Sequence, residues 1–401
     1  MVALNSLLQS GLVTLSCALL CNGAPVDSKP SKVVSSTFNV TRTNPFESSS
    51  NLTTRGLGDL SKRSNGSKYV DAPLGNRLVY YQAEVEIGSR NQRNRVLFDT
   101  GSSDLWVIAS DAQCANFGCK LDGSYSLKGS STGKNLTDSF AIIYADGTGA
   151  NGSYVSDTVT FGGATVKNQE FGLAETSSSQ YGVLGVGLLP LEATENGTTY
   201  DNFPVSLKKQ GYINKVAYSL YLNSLKSTTG SILFGGVDNA KYQGDLVELP
   251  VLEGDDLAVN ISSVSINGQT FSNETSVILD TGSGFSYLPL NVVEGIAKQI
   301  GGTYDSQGDG YIVDCIQTDT LTFNFPKNIS ITVPISNFLY PLSIVDGRPS
   351  LKCFLAIKND YGYGSLGENF LRGAYVKYDL EERTIALAQV KYTTESDIQE
   401  L

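Results

Sequence analysis

The stretch Arg95 to Trp106, RVLFDTGSSDLW, is written again in large part as Ser276 to Pro289, SVILDTGSGFSYLP. In each copy an apolar run, Val96-Leu97-Phe98 or Val277-Ile278-Leu279, ends in Asp-Thr-Gly-Ser, led by Asp99 in the first and Asp280 in the second. A single Asp-Thr-Gly is a strand-to-turn corner where the Asp side chain bonds its own backbone. Two in the same context, each with a second feature at the same distance, ask for more. Gly185 in YGVLGVG stands 86 residues after Asp99, and Gly367 in GSLGENF stands 87 after Asp280. Such self-similarity marks an internal duplication. It constrains the fold to two similar lobes, each lending one carboxylate to a shared centre.

The lobes read as β throughout. RLVYYQAEVEIG, AYSLYLN, GSILFGGV, LTFNF and ISITVPI are β-branched and aromatic segments bounded by Gly, Asn and Ser turns. Helical patterns are few, with NVVEGIAKQIG and PVSLKKQG the best candidates. With 401 residues, 40% of them hydrophobic, the chain can bury a core in more than one domain.

Histidine is absent from the whole sequence. That excludes Ser-His-Asp and Cys-His nucleophilic machinery as usually built, and His-ligated zinc hydrolysis with it. What remains is the pair of aspartates. Two carboxylates a few ångströms apart cannot both ionise easily, so they share one proton over a range of acid pH. The charged partner then serves as general base on a water while the protonated one polarises a substrate carbonyl. Thr and Gly after each Asp permit a tight turn and donate backbone hydrogen bonds to the carboxylates. Ser102 and Ser283, each three residues beyond its Asp, are expected to hold the outer oxygens.

The sequence resembles the pepsin-family aspartic proteases, most closely the secreted candidapepsin-like and yapsin-like fungal enzymes. The resemblance runs through both Asp-Thr-Gly motifs, SSDLWV, AIIYADGTGANGSYVSDTV, YGVLGVGL, YSLYLN, ILFGGVDNAKYQGDLVELPV and NFLRGAYVKYDLEERTIALAQV. It implies an all-β, bilobal pepsin-like fold with a central cleft and a β-hairpin flap, and an acid endopeptidase needing no cofactor or metal. By resemblance Asp99 and Asp280 are the catalytic pair and Thr100 and Thr281 brace them from beneath. Tyr144 sits at the flap tip and is positioned by Trp106. Ala145, Asp146, Gly147 and Gly284 bind the substrate, and Gly101, Gly282 and Ser283 meet its main chain. Asp146 has two readings, a carboxylate that pairs with basic substrate side chains or a cap on the hairpin turn. The sequence departs from the family at Ser365-Leu366-Gly367-Glu368, where Ile-Leu-Gly-Asp is usual, and at Ala145, where the flap often has Gly. A catalytically dead relative that only binds is the competing class, but neither Asp nor the flap Tyr is lost. A half-length dimeric enzyme is excluded by two carboxylates in one chain.

The remaining signals concern processing. Residues 1–24 are apolar and rich in small residues, as in a signal peptide, with a single membrane anchor as the alternative. Residues 25–63 are rich in Ser, Thr and Asn and end in Lys62-Arg63, the expected processing site of a pro-segment. That segment holds six basic and three acidic residues, so residues 64–401 carry 23 basic against 37 acidic, a net charge of −14. The acidic balance, with no basic stripe, argues against nucleic acid. The expected division is an N-terminal lobe over 64–247 and a C-terminal lobe over 248–401, in a monomer whose partners are peptides or proteins. Cys17 and Cys21 fall within the leader, and the other four cysteines allow three pairings. Cys114 and Cys119, five apart, suit a local loop, which leaves Cys315 with Cys353. Nine Asn-X-Ser/Thr sequons, at Asn39, Asn51, Asn65, Asn135, Asn151, Asn196, Asn260, Asn273 and Asn328, agree with secretion and glycosylation.

Overall fold

The computed structural model describes residues 68–76, 80–115, 118–194, 197–342, 344–345 and 348–401. The expected leader, pro-segment and Lys62-Arg63 lie outside the described residues, as do Asn39, Asn51, Asn65 and Asn196.

The duplication appears as two copies of one strand arrangement. In the first half Tyr81–Ile87 pairs antiparallel with Gln92–Asp99, Val183–Gly185 runs parallel to Gln92–Asp99, and Leu105–Cys114 lies antiparallel to Val183–Gly185. In the second half Ala258–Ile266 pairs antiparallel with Gln269–Leu279, Gly364–Leu366 runs parallel to Gln269–Leu279, and Ser286–Leu288 lies antiparallel to Gly364–Leu366. Each Asp therefore leaves the end of a strand flanked by a parallel neighbour. Asn94, Val96 and Phe98 point into the core on one strand and Val277 and Leu279 on the other, the two-residue alternation that a half-covered sheet demands.

One sheet of thirteen strands joins the halves. It runs from Tyr242–Pro250 through Thr384–Val390, Ala374–Asp379, Ala217–Tyr221, Thr229–Phe234 and Val70–Asn76 into the first-half strands, and ends at Lys134–Ile143. Strands made late in the chain thus sit among strands made early. Every residue of Ala374–Asp379 is buried. A seven-stranded sheet carries the second half.

Helices form where apolar spacing and caps allow. Phe203–Lys209 begins with the Asn202 side chain accepting from the Val205 amide and with Pro204 in its first turn, and it ends in Lys208 and Lys209. Leu290–Gln299 buries Val292, Val293, Ile296 and Ala297, one stripe at helical spacing. Both lie where the sequence pattern placed them. A single turn, Glu368–Leu371, follows Gly367. Disulfides join Cys114 to Cys119 and Cys315 to Cys353, the pairing expected from their spacing.

Candidate active site

The two Asp-Thr-Gly turns meet head to head. Thr100 Oγ1 donates to the Leu279 carbonyl and Thr281 Oγ1 to the Phe98 carbonyl, each at 2.8 Å. In return each Thr hydroxyl accepts from the other's amide, Thr100 N at 3.1 Å and Thr281 N at 3.0 Å. Both threonines are fully buried, so all four bonds lie out of water and lock the two chain segments in register.

Above this cross-link the carboxylates face one another. The Gly101 amide donates to Asp99 Oδ1 at 2.8 Å and the Gly282 amide to Asp280 Oδ1 at 2.7 Å. Glycine is required here: a Cβ on Gly101 would run into the Asp280 carboxyl, and one on Gly282 into that of Asp99. The pair is closed symmetrically below and asymmetrically above. Ser102 Oγ donates to Asp99 Oδ2 at 2.5 Å. Ser283 differs from its expected role. Its hydroxyl donates to the Phe285 carbonyl at 2.9 Å and accepts from the Phe285 amide, a local turn that draws it away from Asp280. Burial, then the charge and hydrogen bond of Asp99, push the Asp280 carboxyl well above the usual carboxylate range.

Lys134–Ile143 and Gly149–Phe161 pair antiparallel as a hairpin that turns at residues 144–148. The Gly147 amide donates to the Tyr144 carbonyl at 2.9 Å and the Tyr144 amide to the Thr148 carbonyl at 2.8 Å. Gly147 takes φ 81°, which suits a residue without a side chain. Asp146 Oδ1 accepts from both the amide and the hydroxyl of Thr148, at 2.8 and 2.7 Å, the bonds of a cap on the hairpin turn. Ala145, Asp146 and Gly147 are exposed at the tip. Tyr144 turns inward, where its hydroxyl accepts from Trp106 Nε1 at 2.7 Å. Trp106 itself is fully buried and paired with Gly172 in the adjoining strand. The Gly284 carbonyl accepts from the Tyr340 hydroxyl at 2.6 Å.

The family model described as eukaryotic aspartyl protease matches residues 80–390. The chain belongs to the aspartyl protease family. It is 44% identical over 354 residues to secreted aspartic protease 4 of Candida albicans, with 86% of this chain and 83% of that one covered. It is 40% identical to secreted aspartic protease 8 of the same organism over the full length of both. Among solved structures, an aspartic proteinase from Irpex lacteus superposes with a TM-score of 0.68 at 22% identity, covering 81% of this chain and 98% of that one, and it supports the bilobal pepsin-like fold.

This aspartyl protease also holds buried charged groups whose partners no sequence motif announced. Asp104, directly after the first turn, is fully buried. It accepts from Tyr154 OH at 2.8 Å, Tyr200 OH at 2.9 Å and the Ala193 amide at 2.7 Å. Glu192 lies close by, and its Oε2 accepts from the Tyr200 amide at 2.8 Å. The unusual Glu368 forms a fully buried ion pair with Arg372 at 3.0 Å, and its amide donates to the Ser283 carbonyl at 2.9 Å. Arg372 Nε in turn donates to the Tyr81 hydroxyl at 3.1 Å. The departure visible in the sequence at Glu368 is thus answered by a cation one helical turn on. Ser365 is only half buried, paired between Ile278 and Tyr287. Among the described residues no helix is long and apolar enough to cross a membrane.

Proposed function

We propose that this chain is a secreted acid endopeptidase, made with a leader and a pro-segment, and that Asp99 and Asp280 are its catalytic pair. One observation carries the residue assignment: two carboxyl groups stand close across Gly101 and Gly282, with a shared floor of threonine bonds beneath. The pair holds one proton, because burial and the neighbouring charge oppose a second ionisation.

The reaction then uses the protein's own groups. A water between the carboxyls gives a proton to the ionised one and attacks the scissile carbonyl carbon. The protonated partner donates to the carbonyl oxygen, where charge develops. The tetrahedral intermediate collapses when the carboxyl that took the water's proton delivers it to the leaving nitrogen, the C–N bond breaks, and the re-forming carbonyl returns its hydroxyl proton to the other carboxyl, so the dyad again holds a single proton. Tyr144, held by Trp106, covers the centre and limits water to what the reaction needs. The division into lobes at 64–247 and 248–401, the monomeric state, and processing after Arg63 belong to the same reading. Processing after Arg63 draws support from the opposite net charges of residues 25–63 and 64–401, +3 and −14.

The decisive measurement is peptide cleavage at acid pH by the mature protein, with Asp99→Asn and Asp280→Asn beside it. Each variant should lose at least about 10³-fold in kcat, equivalent to roughly 4 kcal/mol of transition-state stabilisation, while keeping the wild-type melting behaviour. The wild type should be blocked by a statine-type transition-state analogue. Cleavage that survives in either folded variant would overturn the assignment.

A further inference from the structure

Below the threonine cross-link lies a second, less symmetrical layer. Tyr218 on Ala217–Tyr221 and Tyr378 on Ala374–Asp379 stand directly opposite in the sheet. Their rings stack with centroids 4.9 Å apart and planes inclined by 25°. Both are 0% exposed. A buried tyrosine is an expensive choice unless its hydroxyl has work, because phenylalanine fills almost the same volume without a polar atom to satisfy.

The two hydroxyls have different fates. Tyr378 OH donates to the Leu279 carbonyl at 3.1 Å, the same oxygen that accepts Thr100 Oγ1 at 2.8 Å. Leu279 precedes Asp280, so this carbonyl belongs to the peptide plane from which Asp280 is hung. With both lone pairs of the oxygen engaged, that plane cannot rotate without breaking a bond. Tyr218 OH has no hydrogen-bond partner among the described residues. Tyr378 thus grips the segment that carries Asp280, and the stacked Tyr218 hydroxyl grips nothing among the described residues.

We propose that Tyr378 is a positioning residue for the reaction: by holding the Leu279 carbonyl from below, it fixes Asp280 against Asp99 and makes the two halves of the dyad unequal. The proposal rests on the reading of Asp99 and Asp280 as the catalytic pair. Coupling between two carboxyls weakens as their separation grows or fluctuates. Releasing the plane before Asp280 therefore brings together the two apparent pKa values that bound the activity profile.

The test is Tyr378→Phe in the full mature enzyme, with active sites counted by titration against a tight transition-state analogue. Expected are a kcat lowered about fivefold, a KM within twofold of wild type, and a pH profile whose limbs stand at least about half a pH unit closer. Tyr218→Phe, which removes a hydroxyl without a partner, should leave the profile unchanged. Should Tyr378→Phe not fold, the double variant Tyr218→Phe/Tyr378→Phe carries the same test with an apolar Phe–Phe stack in place of the pair. A wild-type profile and kcat in the Tyr378 variant, or an equal shift in Tyr218→Phe, would overturn the role. Full activity in Asp280→Asn would remove the dyad itself, a separable result.

Discussion

Burial lifts the Glu192 carboxyl to about 8, with the charges of Asp104, Glu170 and Asp201 adding to the effect and the Tyr200 amide opposing it. Asp104 is raised too, chiefly by burial. The consequence for stability has a definite sign. Between its ordinary value of 4.5 and about 8 the folded protein keeps a proton on Glu192 that the unfolded chain releases. Stability is then complete below about pH 4.5 and falls as pH rises through the window, at up to about 1.4 kcal/mol per pH unit. Glu192→Gln, which keeps an acceptor for Tyr200 and cannot ionise, should flatten this fall. The check is the melting temperature at pH 4 and pH 8: wild type should lose several degrees more than the variant, and equal losses would place the pH sensitivity elsewhere. None of this was legible in the sequence. Glu192 and Asp104 are 88 positions apart, and although Asp104 lies within SSDLWV, nothing in that motif names Glu192 or Tyr200 as its neighbour. Asp99 and Asp280 were legible because they repeat with their whole setting. Ser283 was misplaced by that same symmetry: Ser102 and Ser283 occupy equivalent positions, but Gly284-Phe285 follows one and Ser103-Asp104 the other, and the local turn at Phe285 claims the hydroxyl.

At the scale of elements, the strands were readable from their two-residue alternation and the two longer helices from their caps and stripes. Strand partners were not. Nothing in the linear pattern of AYVKYD says that it pairs with AYSLY across more than 150 residues; that choice is made by burial on both faces. The disulfides act on different lengths of chain. Cys315–Cys353 closes 38 residues and ties Lys352–Leu355 to the segment after Gly310–Asp314, whereas Cys114–Cys119 closes only five. If loop-closure entropy dominates, removing the first should cost about 4 kcal/mol and the second about 2 kcal/mol. Denaturant unfolding of the paired Cys→Ser variants measures both, and a larger loss at Cys114–Cys119 would contradict the loop-length argument. The flap shows how one element combines a structural and a chemical task. Asp146 and Gly147 shape the turn so that Tyr144 can reach inward, where Trp106 receives it.

For the whole molecule, the two halves of the duplication repeat one strand arrangement but are not built as equals. Ala374–Asp379 lies fully buried between Ala217–Tyr221 and Thr384–Val390, in the sheet that also carries the first Asp-Thr-Gly. During synthesis, Ala217–Tyr221 is complete 153 residues before Ala374 appears, an interval of roughly 8 to 30 s at about 5–20 residues per second. Throughout it, one edge of an apolar strand has no neighbour, the condition under which chains pair with each other instead of with themselves. A nascent chain released at residue 373 should therefore aggregate, while one extended through residue 390 should stay soluble; sedimentation of the two translation products distinguishes them. Birth order makes the last strands gatekeepers of the thirteen-stranded sheet, and a helper that shields the waiting edge would have to act before translation ends.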